Sequence, residues 1–316
     1  MTGHLPPGAP AWFWVAFNAF VVGLLLVDLG VFQRHPHAMR KREAAARVAA
    51  MVVLALIFNA WVFYAWGRQR GLEFLTGYLI EYSLSVDNVF VFIVVLNYFH
   101  VSKAHQHRVL FWGILSALVM RGVFIAAGAA LLYRFSWIGY VFGAFLIFTG
   151  FRLLRTSEHQ VHPERNPVVG FFRRFVPMTS DYREARFWVK DQGRWLATPL
   201  LLVLVVIEVT DILFAVDSIP AIFAVTRDPF IVYTSNVFAI LGLRALYFLL
   251  AGVMDELRHL KTGLAFVLMF VGFKMTSEPW LHIPIGLSLG VIAGILGLSV
   301  AVSLWEQRRA DAAGRE

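Results

Sequence analysis

Apolar residues run along most of this chain for about twenty positions at a time, with polar residues gathered in short intervals between the runs. Nine runs stand out, at 11–32, 44–66, 72–97, 109–132, 137–154, 198–225, 231–254, 262–276 and 284–305, the fifth and eighth being short. The runs are near the roughly 20 residues that a helix needs to cross a bilayer. The pattern predicts an all-α membrane protein, with residues 1–316 as a single membrane domain. One long polar stretch, 156–197, interrupts it.

The polar intervals carry the orientation. Alternate loops and the C-terminal tail hold 21 Lys and Arg residues, and the opposite side holds four: Arg68, Arg70, Arg134 and Arg227. Basic loops stay in the cytoplasm, so the N-terminus is expected outside and the C-terminus inside. No Lys or Arg precedes the first run, so that run reads as a retained span and not as a signal peptide. The 156–197 loop falls on the cytoplasmic side. Its FFRRFVPMTSDYREARFWVK mixes basic and aromatic residues, which suits anionic lipid headgroups. A partner-binding role is the alternative.

Composition agrees. The chain is 59% hydrophobic and 15% charged, with a mean hydropathy of +0.68. A soluble domain carries about 25% charged residues. The net charge of +8 sits in loops, which explains it without nucleic acid. The absence of cysteine excludes disulfides and thiolate metal sites. No nucleophile–base pair or nucleotide-binding loop is visible, so no enzyme and no organic cofactor are expected.

The third run carries EYSLSVDNVFVF from Glu81, and the sixth DILFAVDSIPAIF from Asp211. In both, two acids lie six residues apart, Glu81 with Asp87 and Asp211 with Asp217. Asn88 or Ser218 follows the second acid. The fourth and seventh runs each place an arginine near their middle, Arg121 and Arg244. The fifth and eighth end in Gly-Phe-Arg152 and Gly-Phe-Lys274. Residues 72–154 and 198–276 therefore read as two copies of a three-span unit. Because three is odd, the second copy is inverted. Such 3+3 inverted-topology repeats characterise secondary transporters, whose substrates bind near the midplane.

A charge at the bilayer centre costs at least about 2.5–3.5 kcal/mol. Glu81, Asp87, Glu208, Asp211 and Asp217 all fall within runs, and Arg121 and Arg244 can counter only two of them. Protons or metal ions make up the deficit, or the acids form structural ion pairs. Carboxylate and amide oxygens suit Mn²⁺, Mg²⁺ or Ca²⁺. On a regular helix, residues six apart point about 120° apart. Glu81 then shares a face with Ser85 and Asn88 but not with Asp87. A pair could meet at one site only if its helix bends, and Pro220 makes such a break more plausible in the sixth span. Asp28 lies near the cytoplasmic interface, and with Glu208 it is a candidate for a proton relay or access path. Asn59 and Asn236 read as interhelical hydrogen bonds. His100, His105 and His107 read as a solvated loop, with pH sensing as a weaker alternative.

At these motifs the sequence resembles the TerC family of membrane proteins, and its Alx-type branch in particular. LVDLGVFQR, EFLTGYLIEYSLSVDNVFVF, HRVLFWGILSALVMR, the long segment from ATPLLLVLVV through AVDSIPAIF to LYFLLAG, and IPIGLSLGVIAGIL carry the likeness across most of the chain. The resemblance implies a bacterial inner-membrane protein related to the LysE-type transporter fold. It links some relatives to tellurite resistance, and the Alx-type branch to Mn²⁺ export and alkaline conditions. The family's motif residues carry over to Glu81, Asp87, Asn88, Asp211, Asp217 and Ser218. Acids suit a cation better than an oxyanion.

The resulting expectation is a secondary transporter that exports Mn²⁺ in exchange for protons. Asp87 and Asp217 would be the central ligands, with Glu81, Asp211, Asn88 and Ser218 completing the site and Arg121 and Arg244 as counter-charges. The expected partners are the metal ion, protons and membrane lipids. A carrier of Ca²⁺ or another divalent ion is one alternative. A factor that assembles other membrane proteins is the other.

Overall fold

The structure, a computed structural model, describes residues 9–32, 41–135, 137–155, 167–183, 186–191, 193–251 and 260–313. Asp28 and Asp87 lie on described helices, but their side chains fall outside the described set.

Eleven helices follow in chain order among the described residues: α1 (Ala11–Phe32), α2 (Lys41–Trp66), α3 (Arg68–Tyr98), α4 (Lys103–Arg134), α5 (Ile138–Arg155), α6 (Pro167–Phe175), α7 (Pro199–Phe223), α8 (Pro229–Leu241), α9 (Leu243–Leu250), α10 (Leu260–Ser277) and α11 (Ile285–Ala313). Local chemistry sets several boundaries. At the joint between α2 and α3, Gly67 takes φ +87°, which a side chain would resist. Pro199 and Pro229 open α7 and α8, where a missing N–H costs nothing. Asp228 caps α8, its carboxylate accepting from Phe230 N at 2.9 Å.

Seven membrane-crossing segments are long and apolar enough among the described residues: α2, α3, α4, α5, α7, α8 with α9, and α11. The protein is thus a predominantly helical, multi-pass membrane protein. Two of the nine predicted runs fall outside these seven. The described apolar part of α1 stops at Val27, and α10 carries Lys261 and Lys274. The seventh run is not one helix but two, parted at Gly242.

The long polar stretch holds more structure than the sequence suggests. Besides α6 it forms an antiparallel hairpin of β1 (Trp188–Asp191) and β2 (Arg194–Ala197), with Trp188 opposite Ala197 and Gly193 at φ +83° in the turn. Tyr182 ties this region to the helical body, its hydroxyl donating to Phe99 O at 2.6 Å. Burial pushes the Tyr182 phenol above its usual range, so this donor keeps its proton in mild alkali.

The helices pack around α3 and α7, which touch each other. α3 lies against α8, and α4 lies against α7. α5 and α10 pair closely through glycines. A Cβ on Gly272 would stand 2.6 Å from Gly143 O, and one on Gly150 would stand 2.6 Å from Ala265 O. α1 is held by rings, with Phe17 against Phe58, Phe230 and Phe238. Val123, Phe148, Leu213 and Leu298 are exposed, as lipid-facing positions of a membrane protein are.

Candidate functional site

Glu81, Ser85 and Asn88 occupy one face of α3, spaced at one and two turns. Asp211, Ala215 and Ser218 do the same on α7. Arg121, midway along α4, reaches between the two faces and is 1% exposed. Its Nη1 donates to Glu81 Oε1 in a close ion pair. Its other edge grips Asp211, with Nε to Oδ2 at 3.3 Å and Nη2 to Oδ1 at 3.1 Å. Nη1 also lies 3.5 Å from Ser218 Oγ. With its amide oriented to match its neighbours, Asn88 accepts from Arg121 Nη2 at 3.2 Å and donates to Leu84 O at 3.1 Å. One guanidinium therefore joins two carboxylates, an amide and a hydroxyl from two other helices. Forked geometry suits arginine to this role.

The cluster is buried but not saturated. Glu81 Oε2 and Ser85 Oγ, one turn apart, are buried and have no partner. Such orphans are rare in native structures and invite a ligand or water.

Asp217 does not join Asp211. It faces α5 instead, where Thr149 donates to Oδ1 at 3.3 Å. α7 runs unbroken from Pro199 to Phe223, so Pro220 does not interrupt the helix. Pro220 falls in the last turn, where its missing N–H frees only one carbonyl, and the 120° separation persists. Glu208 lies one turn before Asp211 and accepts from Ser116 on α4 at 2.5 Å. It thus sits beside the cluster without entering it.

Arg244 stands outside this cluster. Glu81 and Asp211 both bond Arg121, and neither bonds Arg244. Arg244 Nη2 lies 3.1 Å from His107 Nδ1, and the His107 ring packs 4.4 Å from Phe248. Beside it, Tyr247 donates to Gln106 Oε1 at 3.1 Å. α4 starts at Lys103, so His105 and His107 belong to a helix and not to a loop. Asn59 and Asn236 are buried as predicted for bonding residues. Yet Asn59 Oδ1 and both amide atoms of Asn236 lack partners.

Sequence reasoning missed Glu73. Its carboxylate accepts from Thr226 at 2.7 Å, next to an Arg70–Asp228 pair at 3.6 Å. The signal was available, because Glu73 lies eight residues before Glu81 on the same helix. Among the described residues, no three His, Asp or Glu side chains gather as a ready metal cage. The oxygens at the cluster are a mixture of carboxylate, hydroxyl and amide.

A bundle of this kind, with a carboxylate–guanidinium centre buried where α3, α4 and α7 cross, defines a multi-pass integral membrane protein built around intramembrane charge. The chain belongs to the integral membrane protein TerC family, whose signature matches residues 66–311. An uncharacterised membrane protein of Myxococcus xanthus is 50% identical over 96% of this chain and 95% of its own length. Alx of Escherichia coli K12, whose name describes a membrane-bound redox modulator, is 47% identical over 94% of this chain and 96% of its own length. A chloroplastic thylakoid membrane protein of Arabidopsis thaliana, TERC, is 47% identical over 75% of this chain and 62% of its own length. No solved structure matches the chain.

Proposed function

We propose that this protein is a secondary transporter of the bacterial inner membrane that exports a divalent metal cation, Mn²⁺, in exchange for protons. The observation that carries the reading is the centre itself. Glu81 and Asp211 share a single buried arginine, and Glu81 Oε2 and Ser85 Oγ remain without partners. Hard oxygens left open in the membrane suit a hard divalent cation.

In this reading Glu81, Asp211, Asn88 and Ser218 receive the cation when Arg121 yields. Asp87 and Asp217 follow them on the next faces of α3 and α7, and Glu208 and Asp28 serve proton movement or access. The chain crosses nine times, with its N-terminus outside. Residues 72–154 and 198–276 are inverted copies. The packing supports this, because exchanging the copies turns the α3–α8 contact into the α7–α4 contact and returns α3–α7 and α5–α10 to themselves. It also exchanges the Gly272–Gly143 approach with the Gly150–Ala265 approach.

Relatives named as redox modulators invite a redox reading. A chain without cysteine has no thiol chemistry to offer it. A second reading, a membrane-protein assembly factor, draws on the exposed Phe171, Phe175, Trp188 and Trp195, which lie on α6 and the hairpin. Deleting that region would end an assembly role and leave a transporter with flux.

The test is Mn²⁺ flux into liposomes containing the purified protein under an imposed pH gradient, for wild type, Asp87→Asn and Asp217→Asn. Gradient-driven flux that disappears in the mutants supports the proposal, and Ca²⁺ competition in the same assay ranks the ions. No flux from folded wild type sinks it. Protons and metal compete for the same carboxylates, so acid on the loading side should slow flux.

A further inference from the structure

Three polar residues follow one another on α8, Thr234, Ser235 and Asn236, and all are fully buried. Thr234 and Ser235 spend their hydroxyls on the helix itself, donating to Phe230 O at 2.8 Å and Val232 O at 3.1 Å. Asn236 is different, because neither its Oδ1 nor its Nδ2 has a partner. A buried amide without a bond costs stability, and an apolar residue of similar size would not. Nearly every residue of α8 is buried, so this amide is enclosed by protein and not by lipid.

Two sets of contacts place it at the charged centre. Ser235, the residue before it, stands against α3 at Gly77, where a Cβ would lie 2.9 Å from Ser235 Oγ. Gly77 is one turn before Glu81. Val232, one turn before Asn236 on the same face of α8, shares an apolar cluster with Ile125 of α4 and Ala215 of α7. Ile125 lies one turn after Arg121, and Ala215 one turn after Asp211. α4 and α7 run side by side in one direction, with Gly113 against Ile207 and Gly128 against Ile219. α8 follows α7 after a short loop and runs antiparallel to both, with Tyr233 against Gly122. A step back from Ile125 to Arg121 and from Ala215 to Asp211 is therefore a step forward from Val232 to Asn236. The amide is level with the guanidinium and its carboxylates, on the face of α8 that turns towards α4 and α7.

We infer that Asn236 is a ligand for the transported cation, contributed to the centre by a fourth helix; the inference rests on the transporter reading above. Arg121 takes Glu81 Oε1 and leaves Oε2 open. The open oxygens are then Glu81 Oε2 and Ser85 Oγ on α3 and Oδ1 of Asn236 on α8, and these two helices pack along each other. Carboxylate and amide oxygens are the ligands that a hard divalent cation takes. The affinity of such a site is tuned by the number of charged ligands. A neutral amide adds an oxygen without adding charge, so it helps to strip water from the ion and still lets the ion go, as transport requires. In the proposed repeat its counterpart is Gly113, which has no side chain, so only one copy supplies this oxygen.

The experiment is Mn²⁺ binding at neutral pH to the full chain in nanodiscs of zwitterionic lipid, with free Mn²⁺ counted by its electron paramagnetic resonance signal. Asn236→Leu should raise the Kd by about tenfold or more, because it removes one ligand oxygen. Asn236→Asp keeps an oxygen there and adds a charge, so it should bind at least as tightly as wild type and release the ion more slowly in flux. An amide that only joins helices would leave the Kd unchanged in both variants. A wild-type Kd in Asn236→Leu overturns the inference, and so does an Asn236→Asp variant that binds as weakly as Asn236→Leu. If Asn236→Leu fails to insert, Asn236→Ala decides, with the same loss of binding expected. Mn²⁺ flux separates this inference from the reading on which it rests. Flux with an unchanged Kd in Asn236→Leu rejects the ligand and keeps the transporter. A tenfold weaker Kd in Asn236→Leu, with no flux from wild type, keeps the ligand and rejects the transporter. A wild type that neither binds nor carries Mn²⁺ overturns both.

Discussion

Removing the Arg121 guanidinium would leave Glu81 and Asp211 facing each other, buried and without a cation. Breaking a buried pair from one side typically costs about 3–5 kcal/mol, whereas replacing the whole cluster by apolar residues is often neutral or better. Arg121→Met alone should therefore lower the thermal midpoint in detergent sharply. Adding Glu81→Gln and Asp211→Asn should recover most of the loss, while transport stays absent. If the triple variant is no more stable than the single one, the arginine is not held by these acids. The sequence exposed the acids because each interrupts an apolar run. Helical spacing separated Glu81 from its neighbour six residues on and placed it with Ser85 and Asn88. Which acid each arginine would choose was not legible. Arginine side chains cross between helices, and the two arginines looked equivalent. Asn236 makes the opposite kind of prediction. Both its amide atoms are buried without partners, so Asn236→Leu should raise the midpoint. An unchanged or lower midpoint would show that the amide is satisfied in the membrane.

Among the elements, the α5–α10 pair has the least room to change. The backbones of Gly143, Gly150 and Gly272 approach so closely that a Cβ meets carbonyl oxygen, which cannot rotate away. Gly272→Val should cost about 1–3 kcal/mol or prevent assembly. Gly290→Ala on α11, with nothing within 4 Å, should change the midpoint little. The readout is monodispersity and thermal midpoint in detergent, and equal tolerance at both sites would argue against the packed pair. The matching Gly-Phe-base endings marked these two helices as equivalents in the sequence, but not as neighbours. The break at Gly242 was not visible, because a lone glycine in an apolar run is ordinary in membrane helices. α6 and the hairpin were hidden for another reason. Their residues lie in a polar, basic stretch whose strands are only four residues long, too short for a clear alternation.

For the whole molecule, the open question is whether α10 crosses the membrane, since composition alone leaves it outside the seven apolar segments. The ends of helices bear on it. Arg227 follows α7, Glu278 follows α10, and their side chains meet at 3.1 Å. The far ends of the two helices are therefore level. If α10 crosses as proposed, Lys274 lies one turn from its end, where a long side chain can reach the interface. The proposed nine-crossing topology would place Arg227 and Trp280 outside and the hairpin turn at Gly193 in the cytoplasm. Single cysteines at these three positions, all exposed, can be probed in spheroplasts with a membrane-impermeant maleimide. Arg227→Cys and Trp280→Cys should label in intact spheroplasts, and Gly193→Cys only after permeabilisation. Labelling of Arg227→Cys without Trp280→Cys would mean that α10 turns back before the outer face. It would break the second copy of the repeat and leave the buried acids without an inverted partner to alternate against.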